Sequence, residues 1–159
     1  MLRMLSAVLV IVTLVPAACQ PSAGTVDPND PAITAVIDSL LTVVSDGAAR
    51  VDVDRVLEPA AGSGELTFVT GDVLLTGLDL IRERFRETYS GLLRQDQTLI
   101  EKRIRVLSPD VAIAILVAEG TYTDKAGWTS EPVGIGTTIV FVKTDGRWQI
   151  QHAHQSILK

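Results

Sequence analysis

The chain has 159 residues, 47% of them hydrophobic, so it can build one domain with a sizeable core behind a short leader. Its formal net charge is −5, and no stretch is rich in lysine and arginine, which argues against nucleic acid as a partner. The single cysteine excludes an internal disulfide. No Cys/His cluster has zinc-finger spacing, and we expect no metal and no other cofactor.

Residues 1–19 have the pattern of a secretory signal peptide. Arg3 is the only charge before the apolar run Leu5–Val15, which is too short for a comfortable membrane span. Small residues then precede Cys19, and this arrangement resembles a bacterial lipoprotein signal, in which the cysteine is lipidated. Pro16 departs from that pattern, which usually has Leu, Val or Ile there, and plain secretion is the alternative. Either way we expect an exported protein. If Cys19 is lipidated, we expect the protein in the cell envelope, anchored to the membrane only through this N-terminal lipid.

The predicted folded domain covers residues 31–159. Residues 20–30 before it contain proline, glycine, serine and asparagine without an apolar period, which is typical of a flexible tether. Asp30 is a predicted N-cap, followed by proline at the first helical position. Apolar residues then recur every three or four positions to Val44, and Gly47 is a plausible C-cap of this amphipathic helix.

The remaining chain is predicted to add short elements and then a meander of long strands. A short helix over 51–57, a hairpin turning at Gly71-Asp72 and a helix starting at Thr76 or Gly77 come first. From Gln97 the pattern changes to four long strands, the last two joined by a turn at Asp145-Gly146. This order predicts an α+β fold with helices on one face of an antiparallel sheet.

The strand over 111–118 is apolar at both alternating sets of positions. Because the helices can cover only one face of the sheet, the other face needs a second cover, which favours a homodimer. The alternative is that the small residues Ala112, Ala114 and Ala118 lie on the uncovered face and tolerate solvent.

Both histidines of the chain lie on the last strand. Strict alternation places on one face Trp148, Ile150, His152, His154 and Ser156. Because imidazoles titrate near neutral pH, His152 and His154 are candidate general acids or bases directed into a hollow enclosed by the sheet. The alternative is that one is a hydrogen-bonded core residue and the other closes the sheet. No third ligand is near in sequence, so this pair does not predict a metal site.

Two motifs carry a family resemblance. One is Glu65-Leu66-Thr67-Phe68 with the later Gly77 and Ile81; the other is the ending Asp145-Gly146-Arg147-Trp148-Gln149-Ile150-Gln151-His152-Ala153-His154-Gln155-Ser156. In these motifs and in its element order, the chain from Asp30 to Leu158 resembles the SnoaL-like, ketosteroid-isomerase-like group of the nuclear transport factor two superfamily. The resemblance implies a cone, in which a strongly bent antiparallel sheet wraps around N-terminal helices and leaves a pocket in its mouth. Members are commonly dimers; some are isomerases, cyclases or dehydratases, and some bind proteins.

Catalysis of the ketosteroid isomerase kind needs a carboxylate base and a tyrosine in an oxyanion hole. Candidate carboxylates are Asp52, Asp54 and Glu119, and candidate tyrosines are Tyr89 and Tyr122. Glu119 alternates in phase with apolar residues, and a carboxylate entering an apolar face could act as an acid. Alternatively, Glu119 is a residue at the end of a strand whose side chain reaches water. The alternative for Asp54 is a helix cap or an ordinary surface residue. Tyr122 has the opposite phase from Glu119, which argues against a dyad of these two.

Two tryptophans complete the candidate ligand-binding residues. Trp128 lies in a predicted hairpin loop, where it could cover a ligand, contact a partner or anchor the loop by packing. Trp148 lies on the same predicted face as the histidines. Three functions stay open. The first is binding of a small apolar molecule in a pocket with His152, His154 and Tyr122 as polar points. The second is an isomerase or dehydratase with a histidine as general base, and the third is a protein-interaction module of the cell envelope. The sequence names no ligand.

Overall fold

The computed structural model describes residues 26–158, so the leader, including Cys19, lies outside the described residues. The described elements, in chain order, are α1 (Pro31–Ala49), α2 (Val53–Leu57), a 3-10 turn (Glu58–Ala60), β1 (Thr67–Thr70), β2 (Val73–Thr76), α3 (Leu78–Tyr89), β3 (Leu92–Ser108), β4 (Val111–Asp124), β5 (Val133–Thr144) and β6 (Arg147–Leu158). The predicted α+β class, with N-terminal helices against a curved sheet, is confirmed.

Helix α1 begins where the Asp30-Pro31 pair predicts. The Asp30 carboxylate accepts hydrogen bonds from the backbone N–H groups of Ala32 and Ile33 at 2.9 and 3.1 Å, which satisfies donors that have no partner inside the helix. The length of α1 and its mean hydropathy of 1.4 would suffice to cross a membrane. Its buried residues Ile37 and Leu41 instead belong to the core that the helices share with the sheet.

Gly47 is not a C-cap, because α1 continues to Ala49. A Cβ atom at this position would lie 2.5 Å from the backbone nitrogen of Val56, which belongs to α2. The glycine therefore permits the close approach of α2 to the end of α1.

The six strands form one sheet in the order β2-β1-β6-β5-β4-β3. All neighbours are antiparallel except β1 and β6, which are parallel, with Thr67 opposite His152. A purely antiparallel sheet was expected from the meander of long strands. The long connection between β1 and β6 allows parallel pairing, which a tight hairpin could not provide.

Strand β3 begins at Leu92, five residues before the predicted start at Gln97. Helix α3 ends at Tyr89 with Ser90 as its C-cap, so Leu92 is a strand residue and not the last member of the predicted helical stripe. The apolar side chain of Leu92 fits either period, which is why the sequence pattern placed it on the helix.

The core lies between the helices and the inner face of the sheet. Ala112 and Ala114 on β4 are completely buried there, opposite Phe141 and Ile139 on β5. The alternative that the alanines of β4 face solvent is therefore wrong. Each small alanine lies beside a large residue, and this alternation of sizes fills the space between the sheet and the helices without voids.

Candidate functional site

A β-bulge at Gln151 decides where the two histidines lie. Val140 of β5 is opposite His152, but the next residue, Phe141, is opposite Ile150, so Gln151 is an extra residue on β6. Because directly opposite residues share a face, Ile150 lies on the inner face with buried Phe141, whereas His152 lies on the other face. The prediction that the imidazoles share the Trp148 and Ile150 side is wrong.

The side chain of Gln151 holds the bulge against the loop that precedes β1. Its Oε1 accepts a hydrogen bond from the Ser63 hydroxyl at 2.9 Å, and its Nε2 donates to the backbone oxygen of Glu65 at 3.1 Å. Ser63 is itself buried. These bonds compensate for the ladder pairing that the extra residue loses. No alternation pattern reveals such a contact, since its partners are more than 80 residues apart.

The strand registers arrange the part of the outer face around the histidines, meaning the face directed away from the helices, in three rows, and the next row along contains Gly134, Glu119 and Thr98. The row through His152 runs across the sheet as Thr76, Thr67, His152, Val140, Ile113 and Arg105. The row through His154 runs as Leu74, Val69, His154, Thr138, Ile115 and Arg103. The third row contains Ser156, Gly136, Val117 and Glu101.

The outer face is apolar along its centre and uncovered. Ile115 is 43% exposed, Val117 is 41% exposed, and Leu74 is 63% exposed. Ile115 and Val117 form one apolar group on β4 and β5 with Ile113 and Val140, which are half-buried. Leu74 and half-buried Val69 form a smaller apolar group on β2 and β1, and the histidines of β6 lie between the two groups. Contiguous exposed apolar surface on a folded domain marks a contact with another molecule.

The charges of the three rows lie at one edge. Glu101, Arg103 and Arg105 all come from β3, and Arg103 forms an ion pair with Glu101 at 2.6 Å. The neighbours of the histidines on β1 and β5 carry no charge. His152 is half-buried and its Nδ1 lies 2.8 Å from the Thr67 hydroxyl, while His154 is exposed. The two imidazoles are thus the titratable groups at the centre of this surface.

A separate open cleft of about 340 Å³ lies at one end of the sheet, beside the end of α1. Its lining comprises Ala49, Gln95–Thr98, Glu119–Thr121 and Pro132. Glu119 is exposed here. Nearby, Tyr89 is buried, and burial raises the pKa of its hydroxyl to about 12, although a hydrogen bond with Gln95 opposes the rise. Neither histidine lines this cleft.

The other predicted residues are dispersed. Tyr122 and Trp128 meet at the β4–β5 hairpin, with ring centroids 5.8 Å apart in an edge-on arrangement and 57% of Trp128 exposed. Trp148, by contrast, lies half-buried on the inner face and packs against the core. The structure therefore brings Tyr122 and Trp128 together but separates both from the histidines and from Trp148.

The two candidate aspartates have structural contacts. Asp52 is the N-cap of α2 and accepts a hydrogen bond from the Arg55 backbone N–H at 3.0 Å. Asp54 is 77% exposed and lies 3.4 Å from Arg82 of α3. Within residues 26–158, no group of three or more His, Cys, Asp and Glu side chains could hold a metal ion.

Sequence reasoning missed Thr67, Gln95 and Gln151. The sequence does show that Thr67 has a hydroxyl on a predicted strand and that Gln95 has an amide near a predicted helix end. Neither position, however, indicates which residue its side chain contacts. Contacts of this kind depend on which strands are neighbours, and the parallel β1–β6 pair was not foreseen.

Comparison with known proteins gives the same fold. Residues 30–158 match the family model described as the calcium/calmodulin dependent protein kinase II association domain. No protein of curated function matches the chain in sequence. Among solved structures, a nuclear transport factor 2-like superfamily protein from Salmonella enterica has a TM-score of 0.71 at 18% identity, covering 80% of this chain and 92% of its own.

Two further structures share this fold. The association domain of C. elegans calcium/calmodulin dependent protein kinase II has a TM-score of 0.62 at 18% identity, covering 79% of this chain and 95% of its own. A ketosteroid isomerase-like protein from Erwinia carotovora has a TM-score of 0.66 at 21% identity, covering 79% and 95%. The resemblance to the nuclear transport factor two superfamily is confirmed, and at these identities the likeness establishes the fold alone.

Proposed function

The chain belongs to the calcium/calmodulin dependent protein kinase II association domain family, and from this membership we propose that it is a self-association module whose outer face binds a second copy of the same chain. The observation that carries the proposal is the exposed apolar centre of the outer face, at Ile115 and Val117. The family description and the association domain from C. elegans support the choice of a second copy as the partner.

A two-fold axis lying in the plane of the contact would place the outer faces of two copies against each other. In such an isologous contact the same surface is buried on both subunits. The apolar side chains at the centre of the rows then cover one another, while the charged edge at Glu101, Arg103 and Arg105 stays at the rim. An apolar centre with a polar rim is the usual composition of a protein interface.

Sedimentation velocity tests the proposal, with the protein expressed from the full sequence and purified in the form that the host produces. We expect a dimer for the wild type and a monomer for Ile115→Arg, because a buried unpaired cation opposes association. Leu80→Arg is the matched control, since Leu80 is an exposed leucine on α3, at 49%, away from the outer face. Circular dichroism checks that each variant is folded. A monomeric wild type, or equal disruption by both variants, refutes the proposal.

The cleft beside α1 supports a second candidate function, which is binding of a small molecule. It is lined by the polar groups of Gln95, Gln97 and Glu119, and an isomerase-like protein shares the fold. Neither histidine lines this cleft, so a bound molecule would meet amides together with the carboxylates of Asp96 and Glu119 there. Mass spectrometry of small molecules extracted from the purified protein tests this. We expect a co-purifying compound that is lost in Gln97→Trp, which fills the cleft, and kept in Leu80→Arg; its retention in Gln97→Trp refutes the candidate.

The location of the protein is a proposal from the sequence alone. The apolar run before Cys19 supports export, and the small residues before the cysteine support lipidation. In a bacterial host, we expect the wild type to be processed at Cys19 and to partition into detergent, whereas Cys19→Ala should remain unlipidated. Mass spectrometry of the mature N-terminus decides between lipidation, plain cleavage and retention of residues 1–18.

A further inference from the structure

The chain has only two histidines, and both lie on the outer face. Histidine is the side chain whose charge ordinarily changes between pH 5 and 8. Protonation of His152 and His154 would therefore add positive charge to this surface. If the strand lacked the bulge at Gln151, the same two residues would lie on the inner face with Ile150.

The residues directly opposite these imidazoles carry no charge. His154 has Val69 on one side and Thr138 on the other, and His152 has Thr67 and Val140. Beyond them, β2 presents Thr76 and Leu74 and β4 presents Ile113 and Ile115, all uncharged.

The charged groups of the rows, Glu101, Arg103 and Arg105, all lie on β3, three strands away from β6. At about 4.8 Å per strand, Arg103 and Arg105 are roughly 14 Å from the histidines of their rows. Arg103 is already paired with Glu101, so Arg105 gives this edge a net positive charge that repels any further cation.

The two histidines differ in how they can respond. The ring of His152 is held by the Thr67 hydroxyl, which can rotate to accept a hydrogen bond when the ring gains a proton. His154 is exposed in the free subunit and solvated there, and a second copy over the outer face would remove that water. Charging an imidazole then costs more in the dimer than in the monomer, and more at His154 than at His152.

We propose that self-association through the outer face is weakened by mild acid, with His154 as the principal sensor and His152 as the secondary one. This inference rests on the proposed function, since the histidines can act only if the outer face is the contact. The sign follows from linkage. The monomer binds more protons than the dimer, so protons pull the equilibrium toward monomers as the pH falls through the imidazole range. For each proton that is taken up when a dimer dissociates, a fall of one pH unit multiplies the dimer Kd by up to about ten.

The test is sedimentation velocity of the full chain at pH 5.5, 6.5, 7.5 and 8.5 at constant ionic strength. We expect the dimer Kd of the wild type to rise at least about tenfold between pH 7.5 and 5.5. His154→Gln should reduce that rise strongly, His152→Gln should reduce it weakly, and the double variant should remove it. Carboxylates ordinarily remain ionised over this interval, and a terminal amine would still respond in the double variant.

The outcomes separate the two proposals. A wild type that is dimeric with the same Kd at every pH refutes the pH dependence and leaves self-association standing, provided that Ile115→Arg is monomeric. A dependence that persists in the double variant also refutes the role of the histidines. A wild type that is monomeric at every pH refutes both.

Discussion

The hydroxyl of Thr67 lies 2.8 Å from Nδ1 of His152, and this contact joins β1 to β6 across the parallel pair of the sheet. Both residues are half-buried, so water replaces the bond poorly if one partner is removed. We expect Thr67→Val, which keeps the shape but not the hydroxyl, to lower the free energy of unfolding by about 1 kcal/mol in urea denaturation. Thr70→Val, on the same strand, is the control and should change stability less.

The Gln151 side chain is predicted to stabilise the bulge. Gln151→Ala removes its hydrogen bonds with Ser63 and Glu65, which should lower the free energy of unfolding by about 1–3 kcal/mol. Gln155→Ala deletes the same side chain further along β6, away from that loop, and serves as the matched control. Thermal unfolding followed by circular dichroism compares the two. Equal losses would contradict the role of Gln151.

Tyr89 should make the fold sensitive to alkali. Burial raises its pKa to about 12, whereas an unfolded tyrosine loses its proton near 10. Below about pH 10 the phenol is protonated in both states and has no effect on the pH dependence. Above it, the unfolded state loses the proton first, so the free energy of unfolding falls by up to about 1.4 kcal/mol per pH unit until the folded phenol also ionises.

Tyr89→Phe tests this assignment. Chemical denaturation measures how the free energy of unfolding changes with pH. Without the hydroxyl, the contribution of this residue to the fall between about pH 10 and 12 should disappear. Tyr122→Phe, at a 39% exposed position, is the control for the general effect of alkali. An unchanged slope in Tyr89→Phe would contradict the prediction.

Gly47 should tolerate no larger residue. A Cβ atom there would lie 2.5 Å from the nitrogen of Val56 and 2.9 Å from the carbonyl carbon of Arg55, so α1 and α2 must separate to admit it. Gly47→Ala should therefore destabilise the protein by about 1–3 kcal/mol, although alanine favours helix formation. At Gly64 a Cβ atom would meet nothing within 4 Å, so Gly64→Ala is the matched control in the same melting experiment. If Gly47→Ala were neutral, the proposed contact between the helices would not limit stability.

Local sequence signals predicted the helices and the strands well, and neighbour relationships poorly. The Asp30 cap and the proline after it are a short-range device, so α1 begins where expected. The turn at Asp145-Gly146 likewise depends on adjacent residues and joins β5 to β6 as expected. By contrast, the parallel pairing of β1 with β6 depends on tertiary packing, which no local pattern encodes.

The candidate site was misplaced for one physical reason. The sequence from Trp148 to Ser156 alternates without any visible interruption, and a regular strand would put the histidines beside Ile150. A single extra residue reverses every side chain beyond it, because the period of a strand is two. The bulge is stabilised by partners in the distant loop at Ser63 and Glu65, so its position could be known only from the folded chain.

The place of β6 between β1 and β5 has a consequence for biosynthesis. The 12-residue strand β6 lies in the interior of the sheet, so a nascent chain cut off before Arg147 lacks the strand that joins the β1–β2 hairpin to β5. The hairpin alone is too small to be stable in water. Completion of the native sheet must therefore wait until β6 has left the ribosome, and a truncation that removes β6 divides the sheet.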